Sequence, residues 1–294
     1  MSNYLQTILG FARPVHLWTW LLFSGGLALF SLVSLRFLYF DSVFCGGDTA
    51  GALPGECFYF LRSHVARLGI KTHLWCILPS GILAGAQFIP VLRRPANVRI
   101  HRVIGYASIV LALAGTVAVL PLIRHAFGGE LAAQAVTALL LVLFLMAQVA
   151  GYVSIKQGNV YSHRQWMLRS WFYAGSVVSL RIISTLTAVA ISFIGGYYSA
   201  MPCDKINFAM GSREETLQWY PECSPYFTED NVFQKAVVDA DLFGPNLMQL
   251  AAALNLTYGM SAWLALVFHV VGSELYIRST IRPVGFKKDV RKSG

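Results

Sequence analysis

The sequence has 294 residues, of which 56% are hydrophobic and only 13% are charged, and its formal net charge is +9. A soluble domain carries about a quarter charged residues, and the mean hydropathy of +0.56 indicates more apolar surface than a water-facing fold can bury. These values argue against a soluble enzyme. Because unpaired backbone groups are costly in hydrocarbon, apolar runs of roughly 20 residues without alternation favour membrane-spanning helices.

In chain order, the apolar runs predict an all-α, polytopic bundle with six transmembrane helices, which forms a single membrane domain over residues 1–294. The first run follows a polar start and is too long for a signal-peptide core, so we interpret it as a retained span. The predicted spans cover residues 15–40, 71–92, 103–123, 132–155, 165–197 and 247–277. Residues 41–70 and 198–246 then form two long outer loops.

The distribution of charge predicts that both termini lie in the cytoplasm and that the long loops are lumenal or extracellular. Most of the 23 basic residues fall on one side of the spans, where Asp289 is the one acidic residue, and this bias follows the positive-inside rule. Anionic lipid headgroups are the natural partners there, so the basic excess does not indicate nucleic-acid binding. The basic residues of this side are Arg13, Arg93, Arg94, Arg99, Arg102, Lys156, Arg164, Arg169, Arg278, Arg282, Lys287, Lys288, Arg291 and Lys292.

Four of the five cysteines fall in the predicted outer loops, with Cys45 and Cys57 in the first and Cys203 and Cys223 in the last. On an oxidising side this arrangement predicts disulfides, either one within each loop or two that join the loops, with local pairing favoured. Cys76 lies within a span. The sequence contains no P-loop, dinucleotide-binding fingerprint or zinc-type cluster.

Polar residues within the spans are costly in hydrocarbon and are therefore candidates for function. In three spans, helical spacing places a histidine on the same face as small residues, which allow close helix packing. These faces comprise His73, Ser80, Ala84 and Gln87; His101, Gly105, Ser108, Ala112 and Gly115; and His163, Ser170, Ala174 and Arg181.

The direction of each span predicts how deep these residues lie. His101 and His163 both begin spans that run outward, so we expect the two imidazoles to face each other at the cytoplasmic rim. Arg181 lies roughly 27 Å further along the fifth span, near the level of His73, and we expect it to be shielded from lipid. A hydrogen bond to a headgroup or to the helix start is the alternative for each histidine at the rim.

The sixth span carries two ionisable residues of its own. Glu274 has Arg278 four residues on, in the favourable orientation for an ion pair within one helix, and we expect this pair to form. His269 lies deeper in the span, and we expect it to be buried, neutral and bonded to a neighbouring carbonyl.

Three segments carry a resemblance to a known family: HLWCILPSGILAGAQF at residues 73–88, HRVIGY at 101–106, and HRQWMLRS at 163–170 with Leu180-Arg181 after it. They resemble the integral membrane family catalogued as domain of unknown function 2306, over about residues 70–190. The resemblance implies a four-helix core and assigns no activity. Tyr106 stands where the family pattern has arginine.

The architecture is also similar to that of the ascorbate-reducible transmembrane cytochromes b, which have six spans and bind two haems between histidines. His101 and His163 fall on spans three and five, as one of those histidine pairs would. The second pair has no counterpart, because His73 lies on span two and span four contains no histidine. The likeness therefore implies at most one haem.

Three functions remain open. The first is a redox protein that binds haem b, with His101 and His163 as axial ligands of the iron. In this hypothesis, basic residues at the rim pair with the haem propionates; the candidates are Arg102, Arg164 and Arg169.

The second function is a membrane-embedded enzyme or accessory factor for a lipophilic molecule, such as an isoprenoid or a secondary metabolite. Its catalytic candidates are His73, Gln87 and Arg181, in a pocket between the second and fifth spans. The third function is a transporter, a channel or a non-catalytic membrane partner. No broken pair of spans indicates a transport pathway. The sequence fixes no oligomeric state.

Overall fold

The computed structural model describes residues 2–46 and 51–280; the basic residues of the predicted cytoplasmic tail from Arg282 to Lys292, with Asp289, lie outside this range. The described chain is mainly helical, as predicted. The α-helices are α1 Ser2–Leu9, α2 Pro14–Trp20, α3 Gly26–Ser34, α4 Glu56–Arg62, α5 His64–Gln87, α6 Val98–Ala118, α7 Leu131–Lys156, α8 Val160–Ile194, α9 Cys203–Met210, α10 Arg213–Trp219, α11 Ser224–Phe227 and α12 Leu247–Thr280. The strands are β1 Tyr198–Pro202 and β2 Lys235–Asp239.

Five helical segments of the described residues are long and apolar enough to cross a membrane. They are Pro14–Leu38, Pro95–Leu122, Leu131–Lys156, Val160–Ile194 and Leu247–Thr280. Helix α5, which contains the predicted second span, is not among them, because its 24 residues include charged and polar side chains such as Arg67, Lys71 and His73. The polytopic helical fold is therefore confirmed, whereas the count of six spans is not.

The first span is an interrupted helix. Helices α2 and α3 are joined by a π-helical turn at Leu21–Gly25, and a 3₁₀ turn follows at Leu35–Leu38. A π turn widens the helix by one residue and is frequent at functional sites. Two residues of this turn, Phe23 and Ser24, line a cavity of the bundle.

Helices α5 to α8 form a packed core. Apolar residues from each of them meet at one level, where Ala84, Ala112, Phe144 and Trp171 are buried together. The close approach of α5 and α6 depends on Gly115, since a Cβ there would lie 3.2 Å from the Cβ of Cys76. Small residues at helix contacts serve this purpose in membrane proteins. Helix α12 packs mainly against α8.

The two ends of this bundle differ in chemistry. At one end α5 and α7 finish while α6 and α8 begin, and here the chain carries Arg93, Arg94, Arg99, Arg102, Lys156 and Arg164. We call this the basic end. The opposite end carries the two long loops, and we call it the disulfide end.

At the disulfide end, the segment between α8 and α12 folds into a small module. Strands β1 and β2 pair antiparallel, from Tyr198 opposite Asp239 to Pro202 opposite Lys235. Disulfides join Cys45 to Cys57 and Cys203 to Cys223, so the local pairing favoured from the sequence is confirmed. The predicted outer loops thus contain helices and a two-stranded sheet.

Candidate functional site

The predicted rim histidines lie at the basic end. His163 is oriented by a hydrogen bond between its Nδ1 and the carbonyl oxygen of Gly151, at 2.8 Å. His101 is within electrostatic range of His163 and of Arg93. The Nδ1 atom of His101 is buried and has no hydrogen-bond partner among the described residues. The two histidines therefore lie near each other at the basic end.

The second-span candidates belong to the contact between α5 and α6. The Nδ1 atom of His73 lies 2.8 Å from the carbonyl oxygen of Gly115, and Ser80 and Ser108 each donate to the other's carbonyl oxygen at 2.8 and 3.2 Å. Gln87 packs over Gly105, where a Cβ would lie 3.1 Å from its Oε1. These residues therefore hold α5 and α6 together. Their polar side chains hydrogen-bond within the contact, except for Nε2 of Gln87, which has no partner among the described residues.

Arg181 lies toward the disulfide end and is exposed, so the expectation that it is shielded from lipid is wrong. Its guanidinium lies 5.0 Å from the centre of the Phe127 ring. That ring in turn stacks on Tyr258, with 3.8 Å between centroids. A cation–π contact of this kind lowers the free-energy cost of placing an arginine in a span when it has no carboxylate partner among the described residues.

Two further expectations concern α12. Glu274 does not pair with Arg278: it accepts two hydrogen bonds from Arg169 of α8, from Nε at 2.5 Å and from Nη2 at 3.0 Å. The forked guanidinium prevails because it satisfies both carboxylate oxygens. His269 is buried as expected, with Nδ1 at 2.6 Å from the carbonyl oxygen of Phe172 and Nε2 at 2.8 Å from the hydroxyl of Ser179.

A cavity of about 370 Å³ opens at the basic end. Its walls come from four parts of the chain: residues 10–24 before and within the first span, residues 88–93 after α5, residues 164–172 of α8, and residues 276–280 of α12. A second pocket of only about 20 Å³ shares five of its lining residues and lies at its inner end. Neither pocket is lined by His101 or His163, or by the catalytic candidates His73, Gln87 and Arg181.

The wall formed by α8 changes from charged to apolar with depth. Arg164, Leu168 and Phe172 follow one another at intervals of four residues and therefore lie on one helical face. Trp171 lines the inward pocket beside Phe172. From Arg164 to Phe172 the helix rises by about 12 Å. A cationic group thus lies at the mouth of this wall and aromatic rings lie at its inner end.

The wall formed by the first span shows the same change. His16 and Thr19 lie at the mouth, Trp20 and Phe23 follow, and Leu27 reaches the inward pocket. The indole nitrogen of Trp20 donates to the carbonyl oxygen of Gly85 at 3.0 Å, which ties this wall to α5. The π turn carries Phe23 and Ser24 into the cavity lining.

The charge at the mouth is positive. Desolvation by the surrounding cavity wall and the neighbouring charge of Arg164 lower the pKa of the Arg93 guanidinium below its usual value, although the side chain is exposed at the mouth. Neither arginine has an ion-pair partner among the described residues, and none of the described lining residues is acidic. Glu274, on the same stretch of α12 as Tyr276 and Thr280, is occupied by Arg169.

This cavity was not predicted from the sequence. Arg164 was expected only as a partner for haem propionates, and no functional role was predicted for His16, Trp20 and Phe23. The available signal was the polar start of the first span, where His16, Thr19 and Trp20 recur on one helical face. That signal gives no indication of which helices lie opposite.

The fold and the cavity define a multi-pass α-helical membrane protein. Over residues 70–201 the chain matches the family described as predicted membrane protein (DUF2306), so the resemblance drawn from the sequence is confirmed for that region. Ava biosynthesis cluster protein G of Aspergillus versicolor is 24% identical over 316 aligned positions, which cover 92% of this chain and 90% of that protein. No solved structure matches the chain.

Proposed function

We propose that this protein binds a lipophilic small molecule in the cavity at the basic end, as a membrane-embedded enzyme or accessory factor of a biosynthetic pathway. The observation that carries the proposal is the cavity itself, which measures about 370 Å³ and combines aromatic and aliphatic side chains with polar groups, most of them toward the mouth. Small-molecule sites typically measure about 300–1,000 Å³ and have this composition. The similar protein from Aspergillus versicolor is named for a biosynthesis cluster, which agrees with such a role.

The lining offers few groups for catalysis. Among the described lining residues, His16, Arg93, Arg164 and Tyr276 are ionisable. An imidazole can act as acid or base, so His16 is the lining residue most suited to proton transfer. An accessory role, in which the protein holds a lipophilic intermediate for another enzyme, needs none of these groups to react. The earlier candidates His73, Gln87 and Arg181 stay predictions.

Photolabelling tests where a lipophilic molecule binds. Protein in phosphatidylcholine nanodiscs is irradiated with an alkyl phosphate and with the matching alkyl alcohol, each carrying a diazirine at the chain end. We expect labelled peptides from residues 10–28, 84–93 and 164–172. Leu168→Trp and Ser24→Leu, which fill the cavity, should abolish these labels. Leu186→Trp is the matched control, because Leu186 lies on the same helix and is 65% exposed.

The biosynthetic role has a separate test in the native host. The gene is deleted and complemented with the wild-type chain, Leu168→Trp or Leu186→Trp, and lipophilic metabolites are compared by mass spectrometry. We expect deletion and Leu168→Trp to lose the same metabolite, while Leu186→Trp restores it. Identical metabolite profiles in all strains, or labels confined to lipid-facing residues, would contradict the proposal.

Haem binding is a second candidate, favoured by one observation: His163 is held through Nδ1, so that Nε2 is the atom left to ligate a metal, and His101 lies in its neighbourhood. A fixed ring orientation is typical of metal-ligating histidines. Arg102 and Arg164 remain candidates for pairing with the propionates, whereas Arg169 is bound to Glu274. Bound haem b would supply one-electron redox chemistry.

The haem candidate has a simple spectroscopic test. Purified protein from haem-supplemented cells should show a Soret band that His101→Ala and His163→Ala each abolish. His73→Ala should keep the band, because His73 belongs to the contact with Gly115. A colourless preparation from such cells would contradict the candidate.

We also propose that the basic end faces the cytoplasm, with the disulfide end in the lumen or outside the cell. The arginines of the basic end follow the positive-inside rule, and disulfides persist on the oxidising side of a membrane. Protease added to sealed microsomes should leave residues 198–246 intact. Cleavage in that segment before detergent is added would reverse the orientation.

A further inference from the structure

The mouth and the inner end of the cavity differ in polarity on three of its four walls. On α8 the order from the mouth inward is Arg164, Leu168 and Phe172, and on the first span it is His16, Trp20 and Phe23. The third wall, after α5, has Arg93 at the mouth. Three separate chain segments thus place polar or cationic groups at one level and apolar groups below it. Such a surface complements a molecule with a charged head and an apolar tail.

The positive charges of the two arginines indicate that the head group of the ligand is an anion. Arg93 and Arg164 are near enough for the charge of one to disfavour the charge of the other. Since arginine does not lose its proton in proteins, an anion bound between the two guanidinium groups would relieve this repulsion. No described lining residue is acidic, and Glu274 of α12 is bound to Arg169.

We infer that the cavity selects amphiphiles with a phosphate or diphosphate head, which Arg93 and Arg164 bind while the chain extends toward Phe23 and Phe172. The inference rests on the proposed function and names the ligand class of the same cavity. Guanidinium groups match phosphate oxygens in geometry and charge. The hydroxyls of Thr19 and Tyr276 lie in the same lining and can donate to remaining oxygens.

Two sources supply this chemistry, an anionic membrane lipid and a phosphorylated biosynthetic intermediate. The two diazirine probes of the previous section separate head from tail, because they differ only in the phosphate. Unlabelled phosphatidic acid in the nanodisc and free farnesyl diphosphate, added as competitors, then separate the two sources. Inorganic phosphate alone measures the contribution of the head without a tail.

We expect the alkyl phosphate to label the cavity peptides about tenfold more than the alcohol, as charge-assisted hydrogen bonds imply. Arg93→Gln and Arg164→Gln should each remove most of this preference without lowering the labelling by the alcohol. Arg164→Lys should keep part of it. Arg99→Gln is the matched control, because Arg99, like Arg93 and Arg164, is an exposed arginine of the basic end, but it does not line the cavity.

Competition by phosphatidic acid supports a lipid as the natural ligand, and competition by farnesyl diphosphate supports an intermediate; either outcome supports the head-group assignment. Equal labelling by phosphate and alcohol would overturn the assignment and leave the proposed function standing. An equal loss of preference in Arg99→Gln would overturn it as well. Absence of cavity labels with both probes would overturn the proposed function and the inference together.

Discussion

Glu56 and Lys205 form a buried ion pair, with 3.2 Å between Oε1 and Nζ, although 149 residues separate them in the chain. Their side chains are only 5% and 2% exposed. Glu56 precedes Cys57 of one disulfide, and Lys205 follows Cys203 of the other by two residues. The second carboxylate oxygen, Oε2, accepts from the backbone nitrogen of Phe127 at 3.2 Å. One carboxylate therefore ties together three loops of the disulfide end.

Removing one partner of this pair should destabilise the fold strongly, because the other charge stays buried without a counter-ion. We expect Glu56→Gln or Lys205→Met to cost about 3–5 kcal/mol, and the double variant Glu56→Met with Lys205→Met to cost less than either. Thermal unfolding in detergent measures the effect. Arg62→Ala is the control, since its pair with Asp204 is exposed and should contribute at most about 1 kcal/mol. Equal losses for the buried and exposed pairs would contradict this account.

Tyr59 should make the disulfide end sensitive to alkaline pH. Burial, with the negative charges of Glu56 and Asp204, raises the pKa of Tyr59 to about 12 from its model-compound value of 10.0. Above the pKa that Tyr59 has in the unfolded chain, the unfolded chain has already lost the phenol proton, whereas the folded chain still retains it. Stability is therefore unaffected below this pH and falls as the pH rises through the window from 10.0 toward 12.

Tyr59→Phe removes this titration. The loss of melting temperature between about pH 8 and about pH 11 should be smaller in Tyr59→Phe than in the wild-type chain. Tyr198→Phe is the control, because that tyrosine is 60% exposed. If both variants lose stability by the same amount as the wild type over this range, the prediction is wrong.

The helices and the disulfides were predictable from sequence because both depend on local signals. Apolar runs predict spans, and cysteines 12 and 20 residues apart are near enough to pair locally. The Glu56–Lys205 pair was not predictable, since each loop contains several charged residues and no sequence pattern links an acid in one loop to a base in the other. Glu274 shows the limit of a local rule: the pair with Arg278 is favourable within a helix, but a forked contact from Arg169 on another helix is stronger. The cavity depends on the same kind of long-range packing.

The disulfide between Cys203 and Cys223 should contribute more to stability than the one between Cys45 and Cys57, because it closes a longer loop. A closed loop of about 15 residues contributes about 3 kcal/mol on the chain-entropy account. Cys203 and Cys223 are also fully buried. Replacement of both by alanine should make residues 198–246 susceptible to limited proteolysis while the spanning helices stay protected. Cys76→Ala, which removes the free thiol, is the control; unchanged proteolysis in the Cys203/Cys223 variant would contradict the prediction.

The Arg169–Glu274 contact joins α12 to the region that matches the family, because Arg169 lies within residues 70–201 and Glu274 lies outside them. We expect Arg169→Gln and Glu274→Gln each to lower the melting temperature. The double variant should lose less than the sum, since a close pair shares its interaction energy. Arg278→Gln is the matched control and should change little, because Arg278 forms no ion pair among the described residues. Strictly additive losses, or an equal loss in Arg278→Gln, would show that the fork does not hold α12 in place.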